Sequence, residues 1–292
     1  MLAIRKAVIL AAGLGTRMLP ATKAVAKELL PVVDKPLIQY AVEEAVNAGV
    51  TEVVFVIAPG KEAIREHFGS MGRIAQHAQA MGDERLLEMC EAPSRLATFH
   101  YVYQEQALGI AHAVACARLL VEGEPFALMF PDDLIVAFEP CLRQLIRAWQ
   151  PIGGSMIAVQ DVPRAETSQY GIVDVVGTGN PASVRGLVEK PSPATAPSTL
   201  GIVGRYILSE TTFAHIDRQA PGAKGEMQIT DTLASQAAAG ERVSAFRFEG
   251  RRFDTGRPVG YLSASMAVAL EREDLREPLL AQMRDVVEAG VR

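Results

Sequence analysis

Apolar residues in this chain come in short blocks separated by polar turns, and the spacing within each block changes along the sequence. Lys6–Ala12 is a β-branched and apolar run that predicts a buried strand, and "TEVVFVIA" (Thr51–Ala58) predicts a second. Between them Leu37, Tyr40, Ala41, Ala45 and Ala48 recur at helical spacing, with Pro36 near the start and Gly49 beyond the end, so Pro36 to Asn47 reads as a helix. Ile64–Phe68 belongs to a short helix. Strand, turn, helix and strand in this order open a parallel sheet with crossover helices. Residues 69–96 break the alternation with "RIAQHAQAMGDERLLEMCEAP", a helical pair inserted without a strand. The alternation then resumes: "ATFHYVYQ" as strand, "IAHAVACARLLV" as helix, "FALMF" as strand, "CLRQLIRAW" as helix and "SMIAVQDV" as strand. The second half predicts shorter strands at "GIVDVVG", "VRGLVEK", "GIVGRYIL" and "SAFRFEG". Helices follow at "ITDTLASQAAA" and "VGYLSASMAVALERE", and a last amphipathic helix covers Leu279 to Glu288. The expected class is α/β: a Rossmann-like three-layer α/β/α arrangement around a mixed, mostly parallel sheet.

Composition narrows the picture. The chain has 292 residues, 49% apolar and 22% charged, an ordinary globular balance with room for a substantial core. A net charge of -5 gives no reason to expect nucleic-acid or anionic-membrane binding, so any phosphorylated ligand needs a locally positive site. The three cysteines, Cys90, Cys116 and Cys141, lack metal-like spacing and suit a reducing cytoplasm. No run approaches the ~20 apolar residues of a membrane span, and the apolar N-terminus runs straight into a glycine turn, as a core strand would.

Four stretches carry candidate chemistry. "AAGLGTRMLPATKAVAKELLP" (Ala11–Pro31) follows a strand, and Gly13 and Gly15 let the backbone approach a ligand closely. Arg17 adds a fork of donors suited to phosphate, and Lys23 and Lys27 add charge. The stretch has Met18 where a dinucleotide fingerprint has its third glycine, and Asp34 precedes a helix rather than ending a strand. It also lacks the G-K-[ST] of a P-loop. "MFPDDL" ends an apolar strand in Asp132 and Asp133, placed either to hold Mg²⁺ or to cap a turn. "FEGRRFDTGRPVGY" offers Asp254 from a distant part of the chain, and "LVEKP" offers Glu189 for hydroxyls and Lys190 for phosphate, or a surface ion pair.

In this order the four stretches resemble the nucleotidyltransferase superfamily that makes nucleotide-sugars, and specifically the bacterial UTP–glucose-1-phosphate uridylyltransferase family. "AAGLGTRMLPATKAVAKELLPVVDKPLIQYAVEEA" carries most of the likeness, with "YGIVDV", "LVEKP", "GIVGRYIL" and "GEMQITD" fitting as well. The likeness runs from Arg5 to Leu270. The insertion at 69–96 suits these enzymes better than the thymidylyltransferases, which tend to read "GGSGTRL" at the first motif.

The resemblance implies one unit over 1–292: a nucleotide-binding half at about 1–135, a sugar-phosphate half at about 136–260 and C-terminal helices at about 258–292. It implies uracil and ribose against Ala11, Ala12 and Gly13, the UTP phosphates on Gly15, Thr16, Arg17 and Lys27, and base recognition through Glu28, Gln104 and Gly109. Asp132 and Asp254 would coordinate Mg²⁺. Gly171, Glu189 and Lys190 would receive glucose 1-phosphate, with Gly204 and Arg205 at the same pocket or its rim. Arg17, Lys27, Asp132 and Lys190 would carry catalysis, giving UDP-glucose and pyrophosphate. Family members commonly form homodimers or homotetramers. The base-side loop departs from the family's "QGLAKGLGHAV": here "QEQALGIAHAV" puts Leu108 in place of a lysine and Ala111 in place of a glycine. Gly15, Thr16 and Arg17 are intact, unlike in relatives that have lost activity. No nucleophile–base set is needed, so His67, His77, His100, His112 and His215 are expected to be structural or exposed. The alternatives are a dTTP-dependent sister enzyme and a non-catalytic nucleotide-sugar-binding paralogue.

Overall fold

A computed structural model describes residues 3–69, 72–222 and 225–290. Nine strands form one sheet: β1 (Lys6–Ala11), β2 (Glu52–Ile57), β3 (Thr98–Tyr103), β4 (Phe126–Met129), β5 (Ser155–Asp161), β6 (Gly171–Val176), β7 (Ala182–Glu189), β8 (Leu200–Leu208) and β9 (Val243–Arg247). Their spatial order is β3-β2-β1-β4-β8-β5-β9-β7-β6. β3, β2, β1 and β4 pair in parallel, as do β5 and β9, while β8 and β7 run antiparallel to their neighbours. The sheet is therefore mixed, with most strands pointing one way. The β6–β7 hairpin leaves the far edge and curls back, so that Ile172 pairs with Gly201 of β8.

Alternation along the strands assigns the two faces. Ala7, Ile9 and Ala11 of β1 pack with Phe55, Met129 and the helices α1 (Leu37–Asn47) and α3 (Cys141–Trp149). Val8 faces the opposite way, into a second cluster with Val54, Leu128, α2 (Ile110–Cys116) and α4 (Ile229–Ala238). Each large side chain fully buried here contributes roughly 1.5–3 kcal/mol. A third, smaller cluster (Val32, Leu37, Leu134, Phe253 and Ala264) fastens α5 (Pro258–Glu271) over a two-stranded ribbon of Asp133–Val136 with Arg251–Asp254.

The predicted strands all form. The inserted pair forms as Arg73–Met81 and Glu84–Glu91; residues 70 and 71 of the insertion, and 291 and 292 of the C-terminal stretch, lie outside the described residues. The helix expected across "IAHAVACARLLV" divides at Ala117 into Ile110–Cys116 and Arg118–Val121. The last helix starts earlier than predicted, at Glu273, and runs to Ala289 with Pro278 inside it. Pro278 is the sixth residue of this helix, past the N–H groups that are free at its start, so the Asp274 carbonyl goes without its i→i−4 donor. The ribbon at 133–136 and 251–254 was not foreseen, because two four-residue strands carry too little periodicity to register. Among the described residues no helix is long and apolar enough to cross a membrane.

Candidate active site

The glycine turn after β1 passes into three short 3₁₀ turns, Thr16–Met18, Ala21–Lys23 and Lys27–Leu29, rather than a long helix. Such short turns carry little macrodipole, so phosphate attraction here falls to side-chain cations. Gly15 takes φ +68, and a Cβ on it would stand 3.2 Å from Cβ of Lys27. The missing side chain lets the turn close on that lysine, and the Thr22 hydroxyl donates to the Gly15 carbonyl at 2.8 Å.

A cavity of about 490 Å³ opens beside this turn. Ala12, Gly13, Arg17, Lys27, Glu28, Gln104 and Gly109, all expected at the nucleotide, line it. Ala11, Gly15 and Thr16 shape the turn without lining the cavity, and neither does Lys23. On the base side Gln104 donates to the Gly109 carbonyl and meets Nδ1 of His112, both at 3.1 Å. Gly109 has φ +99, and a Cβ there would be 2.4 Å from the Met227 carbonyl oxygen. The loop is zipped to Met227: its N–H donates to the Leu108 carbonyl and its carbonyl accepts from Ala111, both at 2.8 Å. Ala111 is fully buried there, while Leu108 is exposed.

A second cavity, of about 170 Å³, lies over β8 and the curled hairpin. Gly171, Glu189, Lys190 and Gly204, all expected at the sugar phosphate, line it. The returning hairpin explains this: Glu189 is the register partner of Gly171, and a Cβ on Gly171 would stand 2.9 Å from Ile202 of β8. Glu189 accepts from the Thr230 hydroxyl at 2.7 Å and pairs with Lys190 at 2.9 Å. Tyr170, Tyr206, Arg252 and Arg257 also line this cavity and were not singled out from the sequence. The two arginines flank Asp254 in a stretch already noted, and their basic character was the available signal.

Arg205 corrects an expectation. It is 1% exposed and does not line the smaller cavity. Its guanidinium pairs with both carboxylate oxygens of Glu44, at 3.0 and 2.7 Å. It also donates to the carbonyls of Phe130, Gly204 and Asp133. Along a strand, neighbours face opposite sides, so with Gly204 and Tyr206 near the cavity Arg205 belongs under it. It braces the segment that carries Asp132.

The two aspartates of "PDDL" have different fates. Asp133 receives the Gly204 N–H at 2.7 Å and pairs with buried Arg252. Burial raises its carboxyl, and Arg252 only partly opposes that. Asp132 faces both cavities, with Lys27 Nζ at 2.6 Å. Burial pushes its carboxyl up, but Lys27 and then Arg17 outweigh this and hold it below the ordinary value. Burial likewise depresses Lys27, yet Asp132 and Glu28 raise it above its usual value. The ribbon sets Asp254 opposite Asp133, and the Thr255 N–H and hydroxyl both donate to the Asp132 carbonyl at 2.8 Å. Asp132 and Asp254 are thereby brought together, with Arg17 at 3.8 Å from Asp254. A Cβ on Gly256 would fall 3.1 Å from Nη2 of Arg17, 3.1 Å from Oδ1 of Asp254 and 3.4 Å from Oδ2 of Asp132, so a glycine lets the guanidinium and the two carboxylates converge.

Among the described residues no cluster of three or more His, Cys, Asp or Glu side chains is disposed to hold a metal by itself. Two converging carboxylates suit a hard cation that completes its shell with water and substrate phosphate, the habit of Mg²⁺. Two of the histidines stand apart from this chemistry: His67 meets Gln39 at 2.9 Å, and His215 lies between Ser235 and Glu241.

The Nucleotidyl transferase family matches the chain over residues 6–271. The chain is 42% identical over 285 residues to the UTP–glucose-1-phosphate uridylyltransferase of Bacillus subtilis (strain 168), covering 97% of each. Its fold is similar to a solved UDP-glucose pyrophosphorylase complexed with UDP-glucose, with a TM-score of 0.84, 36% identity, and coverage of 92% of this chain and 100% of that one. A UTP-bound enzyme of the same name from Acinetobacter baumannii matches with a TM-score of 0.88, 33% identity, and coverage of 97% and 99%. A cavity beside a glycine turn, a second over a returning hairpin and an aspartate between them thus coincide with sequence likeness along nearly the whole chain, which belongs to the nucleotidyl transferase family and, within it, to the UTP–glucose-1-phosphate uridylyltransferases.

Proposed function

We propose that this protein transfers the uridylyl group of UTP to α-D-glucose 1-phosphate, giving UDP-glucose and pyrophosphate. The observation that carries the reading is the meeting of the two cavities: Arg17, Phe130, Asp132 and Lys190 line both. A nucleotide in the larger cavity and a sugar phosphate in the smaller would bring their phosphates together at this seam. An oxygen of glucose 1-phosphate attacks the α-phosphorus in line, the bond from that phosphorus to the β-phosphate bridge breaks, and pyrophosphate leaves with the electron pair. The attacking phosphate is already ionised, so no general base is required. Catalysis is then positioning and charge neutralisation.

Arg17, Lys27 and Lys190 supply the positive charge that lets two anions approach. Glu189, steadied by Thr230, offers acceptors to sugar hydroxyls. Asp132 and Asp254 would hold Mg²⁺, which when bound neutralises phosphate charge at the seam. We also read the protein as a cytoplasmic homodimer or homotetramer. Three free thiols support the reducing compartment, and the exposed Val259, Leu262 and Met266, at helical spacing on α5, support self-association.

The test is pyrophosphate release from the purified protein across paired nucleotides and sugar phosphates, with and without Mg²⁺. Turnover is expected with UTP and glucose 1-phosphate and its loss on chelation. Preference for dTTP would move the protein to the thymidylyltransferases, and silence with every pair would make it a binding protein.

A further inference from the structure

Behind the nucleotide cavity sits a lysine that no motif pointed to. Lys61 lies just past the end of β2, in "PGKEAI", and its side chain is buried under the glycine turn. Its ammonium has three N–H donors and meets three acceptors: the Ala11 carbonyl at 2.6 Å, the Gly13 carbonyl at 2.6 Å and Oε2 of Glu28 at 2.8 Å. Every donor is used, and two of the acceptors are main-chain atoms of the turn that lines the cavity.

Glu28 makes the arrangement informative. It is fully buried, yet it lines the nucleotide cavity. One carboxylate oxygen is held by Lys61, while the other, Oε1, has no partner in the protein. Burial raises the Glu28 carboxyl, with Lys61 as the first charge opposing that. Burial lowers Lys61 in turn, with Glu28 opposing. An unpartnered acceptor inside a ligand cavity is costly unless the ligand brings a donor.

We propose that Lys61 is a positioning residue for the nucleoside. It pins the Glu28 carboxylate so that Oε1 accepts a hydrogen bond from a donor on the bound nucleoside, and it fixes the Ala11 and Gly13 peptides. In a trans peptide the N–H points opposite the carbonyl, so holding these two carbonyls turns the N–H groups of Ala12 and Leu14 away from the lysine. Both residues line the cavity. The inference rests on the uridylyltransferase reading and adds to it a residue outside every substrate contact assigned above.

The experiment uses the full-length protein and measures KM for UTP and for glucose 1-phosphate separately. Wild-type turnover with these substrates checks the underlying reading first, so its failure is distinguishable from failure of the Lys61 role. Lys61→Met is expected to raise KM for UTP about 100-fold, through an uncompensated buried carboxylate and a loosened turn, with KM for glucose 1-phosphate unchanged. The same substitution in a Glu28→Gln background is expected to raise KM for UTP only about 5-fold further, because the charge it neutralised is gone. A purely structural lysine would lower Tm and leave the two KM values in their wild-type ratio, which overturns the proposal. Equal effects in the two backgrounds overturn it as well. If Lys61→Met does not fold, Lys61→Arg takes its place. A planar guanidinium keeps the charge but cannot reach all three acceptors, so a rise of about 10-fold in KM for UTP alone is expected, and no rise overturns the inference.

Discussion

The larger cavity, proposed for the nucleotide, and the smaller, proposed for the sugar phosphate, are built from different kinds of chain. The first draws Ala12, Gly13, Arg17, Lys27 and Glu28 from one stretch, adds the loop around Gly109, and takes Asp132, Lys190 and Gln228 from farther along the chain. The second gathers Gly171, Glu189, Gly204, Thr230 and Arg252 from well-separated segments, brought together by β8 and a hairpin that curls back on it. The contiguous side rests on close backbone approaches at Gly15 and Gly109. The dispersed side rests on side-chain pairs such as Glu189 with Thr230 and Asp133 with Arg252. A site built mainly on one segment tolerates little change of backbone shape there, whereas a site gathered from many depends on the sheet that collects them.

The strongest test of this contrast falls on the seam, where the two sides should be indistinguishable. Asp132→Ala is expected to lower kcat by about 10³-fold or more, with the circular dichroism spectrum retained. Activity near wild type would remove Asp132 from the metal site and from the seam. Next in size is Glu189→Ala, at a residue that lines the smaller cavity and not the larger, expected to cost about 10²-fold in kcat/KM for glucose 1-phosphate while the affinity for UTP, read by calorimetry, changes little. Equal losses for both substrates would break the division between the cavities.

On the contiguous side, Gly109→Ala would drive a Cβ against the Met227 backbone at a φ of +99. A loss of about 2 kcal/mol in denaturant unfolding is expected, with KM for UTP raised about 10-fold. The smallest effect is expected on the dispersed side. Thr230→Val removes one hydrogen bond to Glu189 and should raise KM for glucose 1-phosphate about 5-fold, leaving stability nearly unchanged. A large stability loss there would mean that the pair holds the hairpin rather than orients a ligand-binding group.

Much of the fold was legible because its signals are local. Strands β1, β2 and β4 are apolar runs, α1 has helical spacing between Pro36 and Gly49, and each was placed within a residue or two. The ribbon at 133–136 and 251–254 was not legible, since each strand is four residues long and its partner is more than a hundred positions away. Separation in sequence also hid Arg252, 119 positions from Asp133, and Lys61, 33 to 50 positions from its partners. Arg205 was misplaced because proximity in sequence to Gly204 says nothing about which face of the strand a side chain takes until the strand has a register.

The sequence by itself determined the alternating α/β order, the glycine turn with its Arg17 and Lys27, and the chemical identity of the acidic and basic residues available for phosphate and metal. These depend on short-range periodicity and on side-chain chemistry, which need no partner to be recognised. Only the tertiary structure decided that Asp132 reaches both cavities while Asp133 lines only the smaller, that Asp254 converges with Asp132, and that Lys61 sits beneath the turn. Those facts depend on the pairing of strands far apart in sequence and on burial. Both emerge only when the sheet closes and each charged group must find a partner away from water.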